Sequence, residues 1–275
     1  MWLKLEFMQH TGSFKPRGAF NRILAAAEAG EVPAKGVIAA SGGNAGLAIA
    51  YAAKSLDIPA EVYVPTTAPT VKVTKLRALG ARVIQHGTQY AEAYEAATKR
   101  AVDTDALFCH AYDQPKICAG QGSVALELLD QLGQVDTVVL AVGGGWADGW
   151  RRHCALDGRA TVVGVEPETI PTLHTALSAG HPIDVEVSGI AADSLGARRI
   201  GTIAYDVAVR AGVLVTDDAI ITARRWLWNH HRIVIEQGTA TALAALRSNA
   251  YRAAAGERIA IMLCGANTDP TDLAR

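Results

Sequence analysis

The chain has 275 residues, 26 Lys and Arg against 27 Asp and Glu, a formal net charge of −1 and an apolar share of 50%. That composition suits one large or two modest globular domains and excludes a disordered chain, while the near-neutral charge supplies no attraction to nucleic acid or to an anionic membrane. No stretch approaches the roughly 20 apolar residues of a membrane span, and the start MWLKLEFMQH has neither the basic nor the apolar region of a signal peptide. The four cysteines, Cys109, Cys118, Cys154 and Cys264, form no C-x-x-C pair, which argues against a disulfide framework or a zinc ribbon. The expected compartment is the cytoplasm.

In chain order, Gly36–Ala40 reads as a strand and Ala45–Ser55 as the helix behind it. Glu61–Val64 is a second strand, followed by a helix over Val71–Leu79 that Gly80 ends. Arg82–Gln85, Leu107–His110, Thr137–Val142, Thr161–Glu166 and Arg258–Leu263 are further strands, and Tyr90–Val102, Gln121–Leu132 and Ala219–His230 further helices. Strands alternating with helices predict an α/β fold of parallel sheets flanked by helices. His181–Ile200 has little regular pattern and reads as a long surface connection. No Pro- or Ser-rich linker marks a domain boundary, so a chain with two domains would pass between them more than once.

Four segments carry candidate chemistry. In Thr11-Gly12-Ser13-Phe14-Lys15-Pro16-Arg17-Gly18-Ala19 a lysine stands among small and apolar neighbours just ahead of a helix. Desolvation there would lower its basicity and make it a Schiff-base nucleophile or a proton-transfer base; the plain alternative is a solvated surface lysine. Ser41-Gly42-Gly43-Asn44 joins the first strand to its helix, where backbone N–H groups converge on a carboxylate or phosphate, or simply cap the helix. Gly143-Gly144-Gly145 follows another strand and could wrap an anion closely. Cys264, in Cys264-Gly265-Ala266-Asn267 at the end of the last strand, faces either a ligand or the core.

The order T-G-S-F-K-P-R-G-A, S-G-G-N, V-G-G-G, C-G-A-N resembles the fold-type II pyridoxal-phosphate enzymes, and most of all their serine/threonine dehydratase (threonine ammonia-lyase) branch. The likeness runs from Leu3 to Leu273 and extends to VPTTAP, KLRALGA, AGQGSVALELL, GVEPE and IAADSLGA. It implies a two-domain fold, with a small domain over residues 36–113 and a large one from 1–35 and 114–275, and pyridoxal 5'-phosphate as cofactor. Lys15 would carry the cofactor and, once freed, remove the Cα proton. Asn44, Gly143, Gly144, Gly145 and Cys264 would bind the cofactor, and Ser41, Gly42, Gly43 and Asn44 the substrate carboxylate. The implied reaction is β-elimination on L-threonine or L-serine, giving 2-oxobutyrate or pyruvate and ammonia. A small amino acid is the expected partner, and the family habit is a homodimer. Serine racemases of the family carry a serine where this chain has Gly42, so the resemblance favours elimination over racemisation.

The sequence also departs from the pattern. The family has further residues ahead of the Trp2-Leu3-Lys4-Leu5-Glu6 strand, which suggests a misplaced start at Met1. The cradle continues into Trp146-Ala147-Asp148, where a Trp would crowd a phosphate and an Asp repel it. Codons compatible with Trp146–Cys154, shifted by one base, read Gly-Leu-Met-Ala-Gly-Val-Ala-Thr-Ala, the family pattern; this points to a compensated frameshift. Glu166 matches an acidic cation ligand, but its usual carboxylate companion is Thr172, so no metal is expected. Two other readings stand beside the dehydratase. One is a different β-elimination or β-replacement enzyme, such as a hydroxyaspartate ammonia-lyase, an enzyme that eliminates the β-hydroxyl of a phenylserine, or a cysteine synthase. The other is a silent amino-acid-binding relative.

Overall fold

The computed structural model describes residues 1–144, 160–206 and 212–274. In chain order its elements are β1 (Trp2–Lys4), α1 (Pro16–Glu28), β2 (Val37–Ala40), α2 (Asn44–Ser55), β3 (Ala60–Val64), α3 (Thr70–Ala78), β4 (Arg82–Gln85), α4 (Tyr90–Thr104), β5 (Leu107–Phe108) and α5 (Pro115–Leu132). There follow β6 (Thr137–Ala141), β7 (Thr161–Pro167), α6 (Thr172–Ala179), α7 (Ala192–Leu195), α8 (Thr202–Asp206), β8 (Gly212–Val215), α9 (Asp217–His231), α10 (Gln237–Arg247) and β9 (Ile259–Met262). The chain divides into two compact units, Lys15–Gln121 and Met1–Phe14 with Gly122–Arg275.

The unit Lys15–Gln121 is built on a parallel sheet of order β4-β3-β2-β5. All four residues of β2 are buried, and they alternate faces. Val37 and Ala39 pack with Ala19 and Ile23 of α1, Ala48 and Ala52 of α2 and Leu76 of α3. Ile38 and Ala40 pack with Ala93, Ala97 and Ala101 of α4. That alanine stripe recurs every four residues, so one helix face carries only methyl groups and lies close on the sheet. α4 opens on Glu92, whose Oε2 accepts from the backbone N–H of Thr88 at 2.6 Å and of Gln89 at 2.9 Å.

The other unit carries a parallel five-stranded sheet, β1-β9-β6-β7-β8. Val138, Leu140, Val162, Ala260 and Met262 point to one face, against Val124 and Leu128 of α5 and Leu173 of α6. Val139, Val163, Val165, Ile259 and Ile261 point to the other, against Ile220 and Leu227 of α9 and Leu243 of α10. Lys4 of the edge strand β1 is buried, and its Nζ donates to Glu127 and to Gln131 Oε1, anchoring the strand on α5.

The fold class is the one the sequence predicts, with instructive differences at element ends. β5 stops two residues early because the His110 N–H turns away to Gln114 Oε1 at 3.0 Å. α5 starts at Pro115 rather than Gln121: proline at a helix start sacrifices no bond. The sequence pattern misses α10 because every residue from Gly238 to Ala245 is buried, leaving no polar face to betray a helical period. Residues 181–200 do form a connection, broken only by the single turn of α7.

Asp136 and Arg258 tie the starts of β6 and β9 together. The Asp136 carboxylate accepts from Arg258 Nε at 3.0 Å, Nη2 at 2.5 Å and the backbone N–H at 2.8 Å. These bonds, the side-chain one foremost, hold its acid down to about 2. A carboxyl depressed below its unfolded value near 3.9 stabilises the fold above that value, and the contribution is lost as pH falls through the folded one. Asp136→Asn is therefore expected to lower stability at neutral pH and to flatten the loss between about pH 4 and pH 2, read as the urea midpoint against pH. An unchanged acid limb would contradict this.

Candidate active site

Lys15 is the residue before α1, half-buried, and Pro16 starts the helix. Its Nζ donates to the Ala111 carbonyl at 3.1 Å. The side chain lines a small pocket of about 10 Å³ with Ala19 of α1, Ala45 and Ile49 of α2, His110 and Ala111 after β5, and Ile117 and Gln121 of α5. The lysine motif and the start of the S-G-G-N helix thus meet within the Lys15–Gln121 unit.

Ser41, Gly42 and Gly43 form the turn from β2 into α2, and Asn44 is the first helical residue. The Gly43 N–H donates to Ser41 Oγ at 3.2 Å. Gly46 is the glycine that local packing requires: a Cβ there would lie 1.9 Å from the Ser41 carbonyl oxygen. A Cβ on Gly43 would meet nothing within 4 Å, and on Gly42 only Val64 at 3.5 Å, so packing explains neither of those glycines. The turn delivers the N-terminus of a twelve-residue helix, a suitable end for a carboxylate.

In the other unit, Gly143 and Gly144 follow β6. A Cβ on Gly143 would come within 2.6 Å of Leu195, and Gly144 has φ of +77° and accepts a bond from the Gly201 N–H. Gly144 needs glycine for its positive φ, a Cβ on Gly143 would displace the Leu195 side chain, and the two form a backbone turn at a strand end of the kind that cradles an anion. Gly145, the third cradle residue, lies outside the described residues, as do Trp146, Asp148 and the whole Trp146–Cys154 segment.

Cys264 is buried just past β9, with Sγ 3.7 Å from the Met262 carbonyl. Its carbonyl accepts from the Phe14 N–H at 3.0 Å, Ser13 bridges Gly265, and the Ala266 N–H donates to the Gly12 carbonyl. Asn267 Nδ2 donates to the Thr11 carbonyl at 2.6 Å. The T-G-S-F and C-G-A-N motifs are therefore laced to each other, and Phe14 leads directly into Lys15.

Several supporting residues are invisible to a motif reading. Glu236 Oε1 accepts from the Asn267 N–H at 2.9 Å, and Thr239 Oγ1 bonds both the N–H and the carbonyl of Gly265. His110 lies beside Lys15; its Nδ1 accepts from the Tyr112 and Asp113 N–H groups at 3.1 and 2.8 Å. Burial pushes the His110 ring below its usual value, the Lys15 cation adds to this, and Asp113 opposes it. Gln121 carries no sequence signal beyond its place in A-G-Q-G-S. Cys109 is no nucleophile: burial pushes its thiol up to about 12.

Glu166 stands apart from these groups. Its Oε1 accepts from Thr172 Oγ1 at 2.8 Å and the Leu173 N–H at 2.7 Å, and its Oε2 from the His174 N–H at 2.9 Å. The carboxylate caps α6, and Thr172 is its donor. Burial nevertheless raises its acid against the pull of those bonds. Glu166→Ala leaves buried N–H groups unpaired and is expected to cost about 1–3 kcal/mol, measured by urea unfolding. A variant as stable as the parent would refute the capping role.

A family model described as pyridoxal-phosphate dependent enzyme matches residues 1–265. The L-threonine ammonia-lyase of Thermotoga maritima is 35% identical over 274 residues, covering 98% of this chain and 67% of that protein. The phenylserine dehydratase of Ralstonia pickettii is 33% identical over 279 residues, covering 99% of this chain and 84% of that protein. Among solved structures, the processed form of threonine deaminase isoform 2 from Solanum lycopersicum superposes with a TM-score of 0.91 at 29% identity, over 99% of this chain and 76% of that one.

Proposed function

The chain belongs to the pyridoxal-phosphate-dependent enzyme family, and we propose that within it the protein eliminates the β-hydroxyl of L-threonine or L-serine, releasing 2-oxobutyrate or pyruvate and ammonia. The observation that carries this reading is Lys15, held on the Ala111 carbonyl in a pocket that the first turn of α2 also lines. The residues present suit the cofactor: a half-buried amine, a glycine turn at Gly143 and Gly144 with a positive φ at Gly144, and a buried thiol at a strand end. Lys15 would hold the cofactor, Asn44 would donate to it, Gly143 and Gly144 with Gly145 would cradle its phosphate, and Cys264 would face its ring nitrogen. Pyridoxal phosphate, when bound, supplies the electron sink for charge developing at the substrate's Cα.

The protein's own contribution is placement. Ser41 Oγ and the N–H groups at the start of α2 hold the substrate carboxylate, with Gly42 and Gly43 leaving room for it. The Lys15 amine takes the Cα proton, a role suited to a lysine half withdrawn from water. Cys264, as a thiol, would face the ring nitrogen without the negative charge by which a carboxylate would keep it protonated, a setting that would favour elimination. Gly42 offers no proton for the opposite face. The working assembly is a cytoplasmic homodimer acting on a free amino acid; among the described residues no helix is long and apolar enough to cross a membrane.

The test is a visible absorbance band on adding pyridoxal phosphate, absent in Lys15→Ala, together with 2-oxobutyrate release from L-threonine. Lys15→Ala is expected to lower kcat by about 10²–10⁴-fold or more; full activity in that variant would end the assignment. Comparing kcat/KM for threonine and phenylserine assigns the substrate. Gly42→Ser fits sterically, since a Cβ there meets only Val64 at 3.5 Å, and it restores an acid on the second face. It is expected to add measurable D-serine formation from L-serine, checked by chiral chromatography. No D-isomer above the parent's level would remove Gly42 from the explanation.

A further inference from the structure

The pocket beside Lys15 contains a feature that the proposed reaction has not yet used. Gln121 is 1% exposed, lines the same pocket as Lys15, and its Oε1 has no hydrogen-bond partner. An unmade acceptor in the interior is costly, and native folds retain few of them. The pocket, at about 10 Å³, is the size of a single water, and beside His110 and Ala111 its other walls are the apolar Ala19, Ala45, Ile49 and Ile117. We infer that Gln121 Oε1 and the Ala111 carbonyl together form a dock for the ammonium form of Lys15, with Gln121 and His110 as its positioning residues. The inference rests on the reading of Lys15 as the reacting amine: once it has taken up a proton it carries three donors and no acceptor, and it needs partners in a place with little water.

Both halves of the dock are built rather than incidental. Gln121 is seated by a glycine crossing between α1 and α5. A Cβ on Gly18 would lie 2.8 Å from the Ile117 carbonyl oxygen and 3.0 Å from Gln121 Cγ; one on Gly120 would lie 2.4 Å from the Arg17 carbonyl oxygen. Asn21 Nδ2 clamps the crossing by donating to the Lys116 carbonyl at 2.6 Å. The Ala111 carbonyl is aimed by the turn around it. His110 Nδ1 gathers the two following N–H groups, Gln114 Nε2 donates to the Phe108 carbonyl at 3.1 Å, and Cys118 Sγ lies 3.0 Å from the Tyr112 carbonyl oxygen. With Nδ1 accepting two bonds, His110 is neutral and does not compete with Lys15 for the role of cation. Asp113 acts on His110 from the same turn, the titratable residues next along the chain are Arg17 on α1 and Tyr112 after β5, and α2 lines the pocket with Ala45 and Ile49.

The test is the titration of Lys15 in the cofactor-free protein, followed by NMR with ε-carbon-labelled lysine and assigned by the signal lost in Lys15→Arg. Gln121→Met removes the acceptor and is expected to lower the Lys15 midpoint by about one pH unit, while Gln121→Glu raises it by at least as much. Loosened packing would move both variants the same way, so a common direction, or no shift in either, overturns the dock. In the unchanged chain the Gln121 side-chain amide signal must titrate with the Lys15 midpoint; a flat signal also overturns it, whether or not the variants fold. Intact coupling with no absorbance band on adding pyridoxal phosphate would sink the functional reading and support the dock.

Discussion

The bond from the Phe14 N–H to the Cys264 carbonyl is the constraint on which the chemistry turns. It belongs to a short lacing, with the Ser13–Gly265 bridge and the Asn267 amide on Thr11, that makes two motifs at opposite ends of the sequence into one structural piece. Lys15 is the next residue after that lacing, so its backbone starts from a fixed point. Glu236 and Thr239 brace the far side, and Arg224 braces them in turn: buried at 1% exposure, it donates to the Ile235 carbonyl at 2.7 Å and pairs with Asp272. A buried guanidinium is tolerable only with such partners.

Small residues set the distances elsewhere. Where α4 lies on its sheet the contact is alanine, and where α1 meets the start of α5 it is glycine. At the second place the close approach seats Gln121 in the pocket that Lys15 also lines. Interiors packed to this density transmit small changes of volume, so these positions act on the chemistry without touching a substrate.

The alternation of strands and helices was legible in the sequence, because half-buried helices and short apolar strands leave opposite periodicities. So were Lys15, just ahead of a helix, and the S-G-G-N turn, where a strand gives way to one. What the sequence hides is partnership. Glu166 and Thr172 read as half of a cation site, and in the fold they bond to each other and cap a helix. His110 and Gln121 carry no local signature, since their meaning comes from residues that approach them only after folding. α10 is lost for the opposite reason, being buried on every side from Gly238 to Ala245.

The parallel pairing of β1 with β9, Trp2 opposite Ala260 and Lys4 opposite Met262, gives the molecule an order in time. β1 cannot find its neighbour until β9 has been made, more than 250 residues later (Trp2 pairs with Ala260), and closing so long a loop is slow. The Lys15–Gln121 unit needs no such delay: its four strands and their covering helices are complete within its own span. A nascent chain can therefore assemble the lysine's immediate surroundings early, while the lacing that anchors that lysine waits for the last strand. Synthesis interrupted before β9 would leave the amine in a formed pocket with its backbone untied.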